Sequence, residues 1–343
     1  VKRTMANFDP ADTIKWFGER GVALKAEEDG RMFPVTDDSA TIVECLLREA
    51  NRLGVEIRLN RDVTKLEHAG EKWMVQTSTD EVAGDYVCIA CGGFPKLEMF
   101  NWVRATGHGI EAPVPSLFTF NLPKHPLNAL MGLVVQEAQV RINGTKLTEK
   151  GPVLFTHWGL SGPAILRLSA WGARDLAAGN WHFKVQVNWV PTYNENSLRA
   201  FFQQYRFEKA SQKMTNRNPF GLPQRFWDYQ LESNGISLET RWSDLPAKEQ
   251  NKLIKSLTTA ELDVKGKTTF KEEFVTAGGI KLTEVDPETM MSRLQDHLYF
   301  AGEILDVDGV TGGFNFQHAW TSGYIAAQSI TAASLQAGEV AKG

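Results

Sequence analysis

The sequence predicts an α/β fold: a Rossmann-like nucleotide-binding domain interrupted by a β-rich section that itself carries a helical stretch. Three observations predict it. A glycine-rich turn joins a short apolar strand to a helix within Leu298–Tyr324. Helix, glycine, strand, hairpin and buried strand follow one another between Asp12 and Ala90. Pro113, Pro115, Pro123 and Pro126 then mark a change of character near residue 111, and 343 residues exceed one typical domain.

The chain opens on Val1 within what reads as an amphipathic helix, whereas an open α/β domain begins with a strand. The expectation is therefore an α/β domain truncated at its N-terminus. Asp12 caps an expected helix over Asp12–Arg20, with Ile14, Trp16 and Phe17 as apolar positions. Gly21–Leu24 turns into a short strand, and acidic Glu27–Gly30 is a turn. Ser39 or Thr41 caps a helix through Arg52, with Ile42, Val43, Leu46, Leu47 and Ala50 on one face. Gly54 ends it, and Val55–Leu59 reads as a strand. Asp62–His68 and Lys72–Ser78 alternate as a hairpin, and Asp85–Ala90 is a continuous apolar strand.

From residue 111 to about Val190, short strands are expected at Leu117–Asn121, Leu130–Val135, Gln139–Ile142, Lys146–Thr148, Val153–Phe155 and His182–Asn188. One helix, Pro163–Leu176, interrupts them. Asn196 to about Ala260 is helical, because Leu198, Phe201, Phe202 and Tyr205 fall at i, i+3, i+4 and i+7. Lys267–Val275 returns to strand character. The expected domains are residues 1–110 with 278–343, residues 111–190 with 263–277, and a small helical insertion at 191–262.

A hydrophobic content of 42% and a charged content of 23% are ordinary for a globular protein. A net charge of −4 gives no reason to expect nucleic acid or an anionic membrane as partner. No apolar run approaches the ~18 residues of a membrane span, and VKRTMANFDP lacks the apolar core of a signal peptide. Three cysteines cannot build a disulfide framework. The expectation is a cytoplasmic protein with a small-molecule substrate, no nucleic-acid partner and no membrane; oligomeric state is not legible.

In the C-terminal motif, Gly302, Gly309, Gly312 and Gly313 let backbone approach a ligand closely. Gly312–Gly313 precede a helix opening near Phe314. A helix N-terminus presents unpaired N–H groups and partial positive charge, which suits a phosphate or an electron-rich carbonyl. Glu303, Asp306 and Asp308 are acceptors for sugar-like hydroxyls, and together these features imply a nucleotide cofactor. Ala90-Cys91-Gly92-Gly93 closes a buried strand, reading either as backbone beside a dinucleotide or as a tight turn.

Other motifs read more plainly. Cys88 and Cys91 have dithiol spacing, but residues three apart in a strand face opposite sides, so structural thiols are expected. Gly159-Leu160-Ser161-Gly162 resembles a nucleophile elbow, with Pro163 in place of its last glycine. Ser161 and Pro163 equally suit a helix start. A serine hydrolase acting through Ser161 is kept as an alternative, and His157 and Ser161 are candidate substrate residues. Asp306-x-Asp308-Gly309 lacks the rest of a calcium loop, so no metal is expected. Arg199, Arg206, Lys209, Lys213, Arg217 and Arg225 read as the solvated face of core helices.

ACGGFPK, FTHWGLSGPAIL, FVTAGGIKLTEVDPETMMSRLQDHLYFAGEILDVDGVTGGFNFQHAWTSGY and the β-then-helical insertion resemble one family. It is the bacterial BaiN/YhiN-like NAD(P)/FAD-dependent flavoprotein oxidoreductases, and the resemblance covers nearly the whole chain. It implies an FAD-binding Rossmann-like domain with an inserted β-barrel-like domain that carries a small helical insertion. It further implies FAD as cofactor and NAD(P)H as reductant, with hydride passing through the flavin to an organic acceptor. Some members act on steroid-like bile-acid intermediates.

The resemblance also implies cofactor-binding positions. Val63 matches the place where relatives hold adenine through backbone. Ala90, Cys91, Gly92 and Gly93 match a turn beside FAD, with Cys91 replacing the usual threonine. Gly302 and Glu303 match the pair near the ribityl–pyrophosphate region, with Asp308 following. Thr311, Gly312, Gly313, Phe314, Asn315, Phe316 and Gln317 match the turn and helix start under the isoalloxazine ring. His318 stands where the family more often has tryptophan, and no catalytic acid or base is identified. The family's opening strand and Gly-x-Gly-x-x-Gly turn do not occur ahead of these elements. The expectation is that this chain by itself binds FAD poorly or not at all, the alternative being a non-catalytic binding remnant.

Overall fold

The computed structural model describes residues 2–28, 30–216, 218–268, 275–311 and 313–340. The chain divides into two compact units, Val1–Val114 with Val275–Gly343, and Pro115–Phe274. Among the described residues, no helix is long and apolar enough to cross a membrane.

The first unit mixes helices and strands. Its helix Pro10–Gly18 is capped by Asp9 rather than Asp12. Asp9 accepts the N–H groups of Ala11 and Asp12, while Asp12 reaches back to the Asp9 N–H at 3.0 Å, closing a capping box. Two aspartates three apart both look like caps in sequence; only the first has the extended backbone that a cap requires. The strand expected at Gly21–Leu24 forms later, as Leu24–Ala26 paired antiparallel with Met32–Pro34.

Helix Ala40–Arg52 buries Cys45, whereas Val43, Leu46 and Leu47 stay about half exposed. The strand expected at Val55–Leu59 is absent. Val55, Ile57 and Leu59 alternate as strand residues do, but they find no ladder partner among the described residues and remain exposed. The hairpin forms at Val63–Ala69 and Lys72–Thr77 and gains a third strand, Glu81–Gly84, that the sequence reading missed. Val87–Ile89 pairs parallel with Leu298–Phe300. Ile89, Phe100, Leu298, Phe300, Ile304 and Ile325 form the core that fixes this pair.

The second unit is built on seven strands hydrogen-bonded antiparallel. Their order is Ala260–Lys265, His182–Asn188, Val134–Ile142, Thr148–Phe155, Gly159–Ser161, Thr119–Asn121 and Lys267–Thr268. The first and last are consecutive in the chain, separated only by Gly266 at φ +88°, so the sheet curls back toward its own start. Leu130–Val135 and Gln139–Ile142 fuse into one strand, preceded by the tight helical turn Pro126–Leu130. Lys146–Thr148 and Val153–Phe155 fuse likewise, with an irregular register at Gly151–Val153. The expected helix Pro163–Leu176 divides at Gly172 into Pro163–Trp171 and Ala173–Ala178. A Cβ at Gly172 would stand 3.0 Å from Leu176 Cδ1.

The helices Glu195–Glu208, Gln224–Ser233 and Ala247–Thr258 pack on this sheet. Phe155, Trp189, Phe202, Trp227 and Leu253 belong to one continuous core, so strands and helices are stabilised together. Residues 269–274 of the expected strand Lys267–Val275 lie outside the described residues, and Val275–Ile280 resumes as strand.

Candidate functional site

The parallel strands Val87–Ile89 and Leu298–Phe300 end side by side, with the Ala301 N–H donating to the Ile89 carbonyl at 3.0 Å. Ala90–Gly93 and Gly302–Ile304 therefore leave the sheet at its carboxyl edge, where open α/β sheets bind ligands. Gly93 has no space for a side chain: a Cβ would stand 2.9 Å from Thr276 Cβ and 3.1 Å from Glu303 Cδ. Glu303 is fixed by accepting the Thr276 N–H through Oε1 at 2.8 Å. Among the described residues its Oε2 has no bond to protein, so that oxygen is left as an acceptor. Gly302, at φ +75°, donates its N–H to Ser322 Oγ at 2.9 Å, and Ser322 Oγ donates to the His318 carbonyl. These bonds hold the Gly302–Ile304 turn against the helix Phe314–Val340.

Two further bonds close the loop before that helix. Asn315 Oδ1 accepts the Gly309 N–H at 2.7 Å, and Asn315 Nδ2 donates to the Gly309 carbonyl at 3.2 Å. A Cβ at Gly309 would stand 2.9 Å from Phe314 Cβ. Gly92 and Gly313 take φ of +78° and +88° with open space around them, while Cys91, Phe314 and Phe316 are exposed. Ala90 is exposed, Asp306, Asp308 and Thr311 are half-buried, and Gly312 lies outside the described residues. The Gln317 side chain turns away to the Phe8 carbonyl (3.0 Å) and Thr321, and accepts from Thr13. It ties the helix start to the segment around Phe8. Val63 opens its hairpin strand opposite Thr77, half-buried.

His318 is a feature that sequence reasoning noted only as a departure from its relatives. It is buried, and burial pushes the imidazole pKa down while the Gly302 backbone bond pulls it back. Burial thus favours the neutral ring, and among the described residues its Nε2 is buried without a hydrogen-bond partner.

The remaining candidates are less engaged. Cys88 and Cys91 keep exposed surface, yet desolvation by the surrounding protein raises the Cys88 thiol to about 11 and shifts Cys91 the same way, and both are free, so neither is a thiolate at neutral pH. His157 is exposed and Ser161 half-buried at the end of Gly159–Ser161, both in the second unit. Among the described residues no histidine bonds Ser161. Arg199 bonds Asn251, Arg206 bonds Gln250 and the Ser243 carbonyl, Lys213 pairs with Glu239, and Arg225 bonds the Ala129 carbonyl. Lys209 is half-buried, and Arg217 lies outside the described residues. Among the described residues no cluster of three His, Cys, Asp or Glu is placed to hold a metal ion.

The strand-end edge of the first unit has groups that could hold a nucleotide cofactor. It offers open space at two positive-φ glycines and, among the described residues, a Glu303 oxygen without a protein partner and a buried His318 ring nitrogen without one, next to the start of the helix Phe314–Val340.

A family model described as HI0933-like protein Rossmann domain matches residues 1–329. The chain is similar to the 3-dehydro-bile acid delta(4,6)-reductase of Clostridium scindens, 26% identical over 338 residues, which cover 96% of this chain and 82% of the relative. It is similar to the ribosomal RNA dihydrouridine synthase of Escherichia coli, 30% identical over 344 aligned residues, 97% of this chain and 82% of the relative. The Haemophilus influenzae protein of the same name is 27% identical over 344 aligned residues, with 96% and 82% covered.

Proposed function

Because the chain belongs to the HI0933-like Rossmann-domain family of FAD-dependent oxidoreductases, we propose that it reduces a carbon–carbon double bond conjugated to a carbonyl. The proposed acceptor is a uracil base of ribosomal RNA, and the proposed reductant is NAD(P)H. One observation carries this reading. The reactions in the relatives' names share a single step, hydride addition to an alkene polarised by a carbonyl. In uracil that alkene is C5=C6 next to the C4 carbonyl; in a 3-oxo steroid diene it lies along the ring system. The relative at 30% identity favours the uracil base.

FAD, when bound, supplies hydride transfer. The chain's own groups hold and orient. Gly92, Gly93 and Gly302 bring backbone to the strand ends without side chains in the way. Glu303 Oε2 would accept from a hydroxyl of the cofactor, and the start of the helix Phe314–Val340 would favour negative charge beside it. The Asn315–Gly309 clasp keeps the loop in place, and burial favours the neutral form of His318 over a cation there. The net charge of −4 supplies no general attraction for RNA. Recognition of one base depends on local groups instead.

A second reading, a steroid-type enone reductase, is favoured by the Clostridium scindens relative at 26% identity over 96% of the chain. The test supplies the protein with FAD and NADPH or NADH. It offers either ribosomal RNA lacking dihydrouridine or a 3-oxo-4,6-diene steroid, and products are read by mass spectrometry. Dihydrouridine in the RNA supports the first reading, and a saturated steroid with unchanged RNA supports the second. No reduced product in either arm, with no NAD(P)H consumed, leaves a non-catalytic binding role.

A further inference from the structure

The second unit contains a cavity of about 390 Å³ between the helices Gln224–Ser233 and Ala247–Thr258 and the strand edge at Ala260–Leu262. That volume is within the usual range for small-molecule pockets, about 300–1,000 Å³. None of its residues belongs to the strand-end site in the first unit.

Helical spacing sets what faces the cavity. Gln230 and Asn234 are four apart at the end of one helix; Lys252, Lys255 and Ser256 sit at i, i+3 and i+4 on the other. Ser256 locks the two amides together. Its Oγ donates to Gln230 Oε1 at 2.9 Å and accepts from Asn234 Nδ2 at 2.8 Å, while Asn234 Nδ2 also donates to the Gln230 carbonyl at 2.7 Å. Both Nδ2 hydrogens of Asn234 and the Oε1 of Gln230 are thus engaged. Among the described residues no protein group bonds Gln230 Nε2 or Asn234 Oδ1. Gln230 and Asn234 are only 4% and 9% exposed, yet each lines the cavity.

One donor, Gln230 Nε2, and one acceptor, Asn234 Oδ1, are thus left for a ligand or water that enters the cavity. The adjacent donor and acceptor on the edge of any nucleobase match this pair. The ring of Tyr229, stacked at 15° on Phe226, lines the same cavity and offers an apolar surface. Lys252 and Lys255 are exposed, line the cavity, and form no ion pair among the described residues. The single carboxylate beside them, Glu261, is outnumbered, so the mouth suits a phosphate.

We propose that this cavity is a nucleotide-binding pocket, with Gln230 and Asn234 reading the base edge and Lys252 and Lys255 meeting the phosphate. The nucleotide is either free or part of an RNA strand; the chemistry recognised is the same. The inference stands apart from the flavin reading, because no flavin-site residue takes part in it.

The test is titration of the full chain, by calorimetry or tyrosine and tryptophan fluorescence, with uridine monophosphate, NADPH and a short single-stranded RNA. The variants are Asn234→Leu and the surface double variant Lys252→Ala/Lys255→Ala, with thermal melts as a folding control. The double variant is expected to melt like the parent and to bind about tenfold or more weakly. Asn234→Leu, which removes one of the two groups that meet the base edge, is expected to bind uridine monophosphate about tenfold more weakly. Tighter binding of the RNA than of either free nucleotide assigns the pocket to RNA, and the reverse assigns it to a free nucleotide. No binding by the parent chain, or binding that the double variant leaves unchanged, overturns the proposal.

Discussion

Asn315 grips Gly309 through both ends of its amide, Oδ1 accepting the Gly309 N–H at 2.7 Å and Nδ2 donating to the Gly309 carbonyl at 3.2 Å. This pair fixes the loop that carries Asp306, Asp308 and Gly309 onto the first turn of the long C-terminal helix. Each bond contributes about 1 kcal/mol. Asn315→Leu, which removes both, is expected to weaken FAD binding about tenfold, measured by flavin fluorescence titration. Unchanged affinity would mean that the clasp plays no part in holding cofactor.

Gly93 and Glu303 offer a steric test. A Cβ at Gly93 falls 2.9 Å from Thr276 Cβ and 3.1 Å from Glu303 Cδ. Gly93→Ala is expected to destabilise by about 1–3 kcal/mol and to displace Glu303 from the Thr276 N–H. Gly92→Ala meets open space and bears only the left-handed backbone cost, about 1–2 kcal/mol. Urea midpoints should fall in both, with flavin affinity falling further in Gly93→Ala. Equal flavin affinity in the two variants would contradict the close packing of Gly93 on Glu303.

Burial lowers the pKa of His318, with the Gly302 backbone opposing it, and burial lowers His108 and His125 too. The unfolded chain therefore binds more protons than the folded one as pH falls through about 6.5. Stability is highest above that range and is lost on acidification, until the lowered folded pKa values are passed. His318→Phe should shrink the drop between about pH 7.5 and about pH 5.5 without abolishing it, since His108 and His125 remain. Chemical denaturation at the two pH values reads this directly. An identical drop in parent and variant would show that His318 does not stay neutral.

Ser161 ends a short strand, and no histidine bonds it among the described residues. A fluorophosphonate probe is expected to leave it unlabelled, and Ser161→Ala to leave reductase activity unchanged. Covalent labelling at Ser161, found by peptide mapping, would restore the hydrolase alternative.

Much of the architecture was legible because periodicity reports burial. The hairpin at Val63–Thr77 follows from the spacing of its apolar residues, whereas the helix Ala40–Arg52 forms as its periodicity predicts but leaves Val43, Leu46 and Leu47 about half exposed. Val55–Leu59 shows the limit, since alternation specifies which face is apolar but not whether another strand lies beside it. The site was legible to a similar depth. Its glycines and the helix start could be read from the chain. The roles of Asn315 and Gln317 could not, because their amides close on Gly309 and on Phe8, pairings set by tertiary folding. The unpartnered Nε2 of His318 depends on burial by remote elements, which the sequence around it does not report.

The most direct test is anaerobic. The protein is supplied with FAD, mixed with NADPH, and followed at roughly 450 nm, where oxidised flavin absorbs; ribosomal RNA lacking dihydrouridine is then added. The account predicts bound flavin that NADPH bleaches and the RNA restores, with dihydrouridine formed in step. A chain that takes up no flavin would contradict it. So would flavin that NADPH reduces but neither the RNA nor a conjugated enone reoxidises.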